Sequence, residues 1–238
     1  MKPSIVLQKL RKEYQSAHET IVVLNDVDLQ IPSGSLVVVT GESGSGKTTF
    51  LNLLAGLDTP SAGTINVEGW DPISPSEAKL SQYRNKVISL IFQFHYLLKE
   101  FTALENVMLP AYMAGVSRHE ATERARELLV RVGLEDRAYH FPAELSGGER
   151  QRAAVARALV NNPPVILADE PTGNLDERNS RMVEDLLFSL AGSSGKTLIL
   201  VTHNSRLARD ASLHLHLAGG AFTQAGNGTS PWFARETV

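Results

Sequence analysis

The 238 residues carry 23 Lys and Arg against 26 Asp and Glu, a net charge of −3, and no cysteine. That excludes disulfides, Cys-ligated zinc, iron–sulfur clusters and thiol nucleophiles, and it offers no basic excess with which to coat nucleic acid. With 42% apolar and 21% charged residues, the chain reads as globular, long enough for one large α/β domain or a core domain with a smaller insertion.

Neither a membrane span nor a leader is visible. The densest apolar run, residues 87–98, is 12 residues long and includes Gln93 and His95, where a span needs about 20. Ile5, Val6 and Leu7 are followed at once by Lys9, Arg11, Lys12 and Glu13, so no signal peptide is read and a cytoplasmic location is expected.

In chain order, residues 5–10 and 21–31 are rich in Val, Ile and Leu, which predicts strands of a half-exposed sheet. Pro32, Ser33 and Gly34 make a turn. Residues 36–39, Leu-Val-Val-Val, predict a strand buried on both faces. A Gly-rich loop leads into a helix at 47–55; 58–63 is turn-rich, and 64–67 and 87–92 are further strands. Beyond residue 97 the pattern turns helical, at 103–113, 120–132 and 146–160, with Ala153, Ala154, Ala156 and Ala158 suited to close packing. This predicts a helical subdomain over 97–161 inserted into a core of 1–96 and 162–225. Residues 165–168 return to buried strand, 177–190 to helix and 197–201 to strand. Residues 213–217 and 221–224 form a hairpin, and the tail at 226–238 is expected to fray.

Residues 41–48, Gly-Glu-Ser-Gly-Ser-Gly-Lys-Thr, fit the phosphate-loop pattern and sit between a buried strand and a helix. Glycines let backbone N–H groups converge on a phosphate, and the helix start adds partial positive charge. Lys47 can reach the β- and γ-phosphates, and the Thr48 hydroxyl suits magnesium. Residues 165–170, Val-Ile-Leu-Ala-Asp-Glu, place Asp169 to hold that metal, directly or through water, and Glu170 to act as general base. An acidic strand end is common by itself; beside a phosphate loop it gains a purpose. Ser146 heads an Ala-rich helix as a cap would. Gly147 and Gly148, however, cost about 1 kcal/mol each relative to Ala in a first turn and expose N–H groups fit for a second anion.

Together these motifs resemble the ATP-binding subunit of ABC transporters, over nearly the whole chain. On that resemblance Leu145, Ser146, Gly147, Gly148 and Glu149 match the family signature. Gln93 matches the Q-loop glutamine, Asp176 of Gly-Asn-Leu-Asp the D-loop, His203 the switch histidine and Tyr14 the aromatic stacked on adenine. Alone, Gln93 and His203 read as ordinary loop residues and Tyr14 as half-buried packing. The implied fold is a P-loop, RecA-like α/β domain with the helical insertion and an antiparallel β edge. The implied ATP-binding set is Tyr14 with Gly41, Glu42, Ser43, Gly44, Ser45, Gly46, Lys47, Thr48 and Thr49. Glu170, His203 and Gln93 are the implied catalytic groups, and Thr48, Gln93 and Asp169 hold Mg2+. The family places each ATP between one protomer's phosphate loop and its mate's signature, which implies a homodimer that ATP closes and hydrolysis reopens.

Residues 92–98, 101–107, 146–163 and 168–176 resemble the lipoprotein-releasing ATPases, whose relatives are of the MacB and FtsE type. The implied partners are integral membrane subunits of the MacB or LolC/LolE type, met at the cytoplasmic face of the inner membrane, with lipoprotein cargo met only indirectly. MacB-like efflux and FtsE-like cell-division signalling stay open. A soluble relative acting on nucleic acid is remote. Repair forms insert a long coiled coil where this chain has 98 residues from Thr48 through Leu145, and translation factors carry two nucleotide domains. Asn204 stands where Asp is usual, Thr48 where Ser is commoner, and the tail has no counterpart. Phe94, Tyr96, Leu97, Leu98 and Phe101 are too apolar for a solvent loop and predict a groove between core and helices, near Gln93 and the segment from Phe94 to Leu104, for a partner helix.

Overall fold

The computed structural model describes residues 2–16, 19–73 and 76–225, so the expectation for the tail lies outside the described residues. The chain runs β1 (Pro3–Gln15), β2 (Thr20–Pro32), β3 (Leu36–Thr40), α1 (Lys47–Leu54), β4 (Ala62–Val67), α2 (Glu77–Lys86) and β5 (Ile88–Ile91). The helices α3 (Ala103–Met113), α4 (Arg118–Arg131) and α5 (Gly147–Leu159) follow. Then come β6 (Val165–Asp169), α6 (Glu177–Ser194), β7 (Thr197–Val201), β8 (Leu213–Ala218) and β9 (Ala221–Gln224).

Two sheets form. One is antiparallel, in the order β2-β1-β4; the other is β5-β6-β7-β3-β8-β9, parallel except for β9 at its edge. The unbroken apolar run of β3 follows from having two covered faces. Val37 and Val39 join a core shared with α1 and the antiparallel sheet, while Val38 faces the opposite core with Ile166, Leu198 and Val183 of α6. Helix α1 buries Phe50, Leu51, Leu53 and Leu54 between the two sheets. Helices α3 to α5 gather a third apolar cluster. Ala153 and Ala156 of α5 pack into it, while Val155 and Leu159 of the same helix pack under the parallel sheet. The small alanines let one helix lie between two bodies.

Three elements depart from expectation. β1 runs on to Gln15 past a register shift at Lys9, whose φ is 46°; the bulge hides the alternation that resumes with buried Leu10 and Lys12. α2 was not foreseen because it fully buries only Tyr83, which leaves no apolar period to read. α6 extends four residues beyond Leu190 to Ser194 and ends on left-handed Gly195, φ 62°. β3, β6 and β7 run parallel, so the segments that leave their C-terminal ends emerge on one side of the sheet, where α/β folds bind ligands.

Candidate active site

The phosphate loop leaves β3 and enters α1 through Gly46, whose φ is 103° and whose missing side chain would meet Val23 at 2.5 Å. Only glycine suits that corner. The α1 terminus has no side-chain cap and no acidic residue in its first turn, so its N–H groups await an outside partner. Lys47 Nζ donates to the Gly41 and Glu42 carbonyls at 2.9 and 2.7 Å, folded back over the loop it would release on meeting a phosphate. Ser45 Oγ is buried without a hydrogen-bond partner. A bare helix start, an unpartnered hydroxyl and a folded ammonium fit a polyphosphate.

Across the sheet, Asp169 ends β6 and accepts a hydrogen bond from Thr48. Burial raises its pKa, helped by the Glu170 charge and opposed by Thr48 and Lys47. Thr48, Asp169 and the Gln93 amide offer oxygens, the donor type magnesium takes. Glu170 adopts a left-handed backbone, φ 46°, which costs a non-glycine residue about 1–2 kcal/mol. Its N–H bonds the Val201 carbonyl at 2.9 Å and its carbonyl accepts from Gly173 N at 3.1 Å. The turn sets Glu170 Oε2 3.0 Å from His203 Nδ1, the carboxylate sheltered and the imidazole open to solvent. Asn204 caps the short helical turn beyond, accepting from Arg206 N at 3.1 Å, so the departure from Asp keeps a capping oxygen.

Gln93 lies against the turn after Glu170. Its Nε2 donates to Asn174 Oδ1 and Asn174 Nδ2 donates to the Gln93 carbonyl, both at 3.4 Å. The chain beyond is gripped by α5. Buried Gln151 donates to the Phe92 carbonyl at 3.2 Å and meets His95 Nδ1 at 2.6 Å, while Arg157 donates to the His95 and Tyr96 carbonyls at 2.7 and 2.6 Å. Phe94, Tyr96, Leu98 and Phe101 are exposed. Leu97 packs on the helical cluster. A cavity of about 170 Å³ lies farther along α3, lined by Phe101, Glu105, Met108, Leu109, Tyr112 and Arg118.

The signature stands apart from the phosphate loop. No hydrogen bond or ion pair joins 145–149 to 41–49 among the described residues. Ser146 Oγ accepts from Glu149 N at 3.3 Å and Glu149 Oε2 accepts from Ser146 N at 2.8 Å, a reciprocal capping box. Those bonds, with Arg137 beside them, hold the Glu149 carboxyl at about 2. A side chain on Gly148 would come within 2.3 Å of Asn179 Oδ1, and one on Gly147 would meet only Leu175, at 3.7 Å. Gly148 therefore has a steric reason inside its own chain, which the anion argument missed. Asn179 in turn donates through Nδ2 to Asp176 Oδ2 at 2.6 Å, and Asp176 caps α6, so the signature and the D-loop abut through one amide. Tyr14 lies at Thr49 and donates to Asp58 Oδ2 at 2.7 Å. Asn179, Gln151, Arg157, Lys12 and Asp58 were not singled out from sequence, and Asn174 was read only as part of the D-loop.

An α/β fold of two sheets with a phosphate loop, an acidic strand end and a glycine-headed signature helix defines a nucleotide-hydrolysing cassette. The ABC transporter family model matches residues 24–173, more than half the chain, and the protein belongs to that family of ATP-binding, ATP-hydrolysing subunits. The lipoprotein-releasing system ATP-binding protein LolD of Treponema pallidum (strain Nichols) is 48% identical over 219 residues, covering 92% of this chain and 97% of its own. The protein of the same name from Bacteroides thetaiotaomicron is 50% identical over 216 residues, covering 91% and 97%. A dimeric post-hydrolysis state of the ATP-binding cassette MJ0796 bound to ADP and Pi superposes with a TM-score of 0.87 at 37% identity, covering 95% of this chain and all of that one.

Proposed function

We propose that this chain is the ATPase of a complex that releases lipoproteins from the inner membrane toward the outer membrane, working as a homodimer beneath membrane subunits of the LolC/LolE type. Its near-full-length kinship at about half identity with LolD proteins supports the cargo class. The observation that carries the chemistry is the sheltered Glu170 carboxylate at 3.0 Å from His203, beside a phosphate loop whose helix start is bare.

In this reading Lys47 exchanges the Gly41 and Glu42 carbonyls for the β- and γ-phosphate oxygens, and Ser45 and the α1 N–H groups complete the cradle. Thr48, Asp169 and Gln93 would hold Mg2+, which would supply positive charge to neutralise the phosphates. Glu170 accepts the proton of the attacking water, and His203 holds the carboxylate in place while bonding the leaving phosphate. Asn174 keeps Gln93 at the turn. Ser146 and Gly148 act in trans on the partner's nucleotide, since within their own chain no hydrogen bond or ion pair joins them to the phosphate loop among the described residues. The core at 1–96 and 162–225 and the helical subdomain at 97–161 work as one ATPase domain, joined through the apolar cluster that α5 shares with the parallel sheet. Among the described residues no helix is long and apolar enough to cross a membrane, and attachment at the cytoplasmic face runs through exposed Phe94, Tyr96, Leu98 and Phe101.

Glu170→Gln tests the chemistry. It keeps shape and metal site while removing the base, so hydrolysis slows by about 10²–10⁴-fold with ATP affinity intact. The variant then sediments as a dimer with ATP, where the wild type returns to monomer. Wild-type turnover in Glu170→Gln would assign water activation elsewhere.

A further inference from the structure

Tyr14 is held in a way that its surface position does not require. Its hydroxyl donates to Asp58 Oδ2 at 2.7 Å, and Lys12 Nζ donates to the other carboxylate oxygen at 2.7 Å. The same ammonium lies 4.6 Å from the Tyr14 ring centroid, over one face, and is tied down again by the Thr59 carbonyl at 2.7 Å. Lys12 is 8% exposed while Tyr14 is 42% exposed, so the cation is sunk behind a ring that stays open. Partial burial opposes ionisation of Asp58, but its bonds from Lys12 and Tyr14 win and hold the carboxyl below its ordinary range. Asp58 accepts, therefore, and the tyrosine donates.

The arrangement has a direction. Lys12 and Tyr14 are two apart on β1 and share a face; Asp58 comes from the segment that turns back after α1, with Leu57 N bonded to the Asn52 carbonyl at 2.8 Å. The phosphate loop opens that same helix. A ring fixed to the far end of α1 through Asp58, and lying at Thr49 near its start, stands at a set spacing from the phosphate cradle. One face is taken by an ammonium, which a π face attracts, and the exposed part of the ring offers surface to a flat aromatic group. Nothing in the phosphate chemistry asks for this.

We propose that Lys12 and Asp58 are positioning residues that lock the Tyr14 ring as a one-sided platform for the nucleobase, and so set preference for nucleoside triphosphates over bare polyphosphate. The proposal rests on the reading of Tyr14 as the base-stacking residue, and it adds that the ring must be pinned to act. A free tyrosine at a strand end would lose rotamer entropy on each binding event; a pinned one has lost it on folding.

The test compares ATP with inorganic tripolyphosphate, which carries the phosphates without the base, by calorimetric titration of the purified full-length chain. Tyr14→Ala removes the platform and weakens ATP by about tenfold, within the range of one base–aromatic stack, while tripolyphosphate binds as before. Asp58→Ala keeps the ring but frees it, and weakens ATP by about three- to fivefold, again without touching tripolyphosphate. Combined with Tyr14→Ala it adds nothing further. Where Asp58→Ala leaves Lys12 uncompensated and the chain misfolds, Tyr14→Phe breaks the same bond with the ring in place and shows the same selective loss. In steady state both variants raise KM with kcat retained, as lost uniform binding requires. Equal weakening of ATP and tripolyphosphate in Tyr14→Phe, or no change in either, overturns the positioning role. An unchanged ratio in Tyr14→Ala overturns the stacking reading itself, so the two failures are distinct.

Discussion

Two helices of this protein start beside glycine, α1 after its N-cap Gly46 and α5 at Gly147, and they start in opposite chemical states. At α1 the N-cap is left-handed Gly46, no side chain caps the turn and no acid lies within it, while the turn itself carries the ammonium of Lys47. At α5 the start is closed by Ser146 and Glu149 in a reciprocal box, with Arg137 outside it at 3.1 Å. One terminus is bare and cationic, the other satisfied and acidic. Of the two, only α1 is built to take a phosphate unaided. α5 offers its Ser146 hydroxyl and glycine backbone as a stable surface for a nucleotide already held elsewhere. The contrast gives each half of the proposed composite site its role: one half grips, the other completes.

Lys47→Ala attacks the gripping half and carries the largest expected effect. Two charge-assisted contacts of about 1.5–3 kcal/mol each are lost, so ATP affinity falls by at least about 10²-fold in a titration, and the thermal stabilisation that nucleotide gives the wild type disappears with it. Unaltered affinity would return the two termini to equal standing.

Gly148→Ala examines the completing half. An added methyl drives Asn179 off its bond to Asp176, an overpacking cost of about 1–3 kcal/mol readable in urea denaturation. Asn179→Ala in the same chain restores most of that stability, because it removes the obstacle. No recovery in the double variant would leave Gly148 with an anion-binding reason alone.

The smallest effect sharpens the electrostatics. Glu149→Gln preserves the capping hydrogen bonds but deletes the charge at the α5 start, at about 0.3–1 kcal/mol. The folded carboxyl titrates at about 2 against an ordinary 4.5. Its contribution is therefore complete above pH 4.5 and is lost as pH falls toward 2. The stability gap between wild type and Glu149→Gln should be constant from pH 7 to 5 and close below that; a gap that widens with acid would contradict the assignment.

What was legible in the sequence was local. The buried run of β3, the phosphate loop and the alanines of α5 each declare themselves within a dozen residues, because the glycine spacing and the apolar period are properties of consecutive positions. What was hidden joins distant positions. Lys12 meets Asp58 across 46 residues and Gln93 meets Asn174 across 81; these pairs depend on which strand lies beside which, and no periodicity announces them. The bulge at Lys9 concealed the end of β1 and with it the setting of Tyr14. The two signature glycines were legible as unusual but not as different from one another, since only the packed structure shows Asn179 over Gly148 and nothing close over Gly147.

The neighbours of β3 set a timetable for the chain as it is made. Every residue of the β2-β1-β4 sheet has been synthesised by Val67, yet Val37 pairs with Ile199 on one side and Leu213 on the other. The strand that carries the phosphate loop thus waits, edges unpaired, until most of the polypeptide has left the ribosome, and closing so long a loop is slow. A nascent or truncated chain that stops before β7 has a finished antiparallel sheet but no seat for nucleotide. The strand beneath the phosphate loop gains both of its neighbours only when the chain is nearly whole.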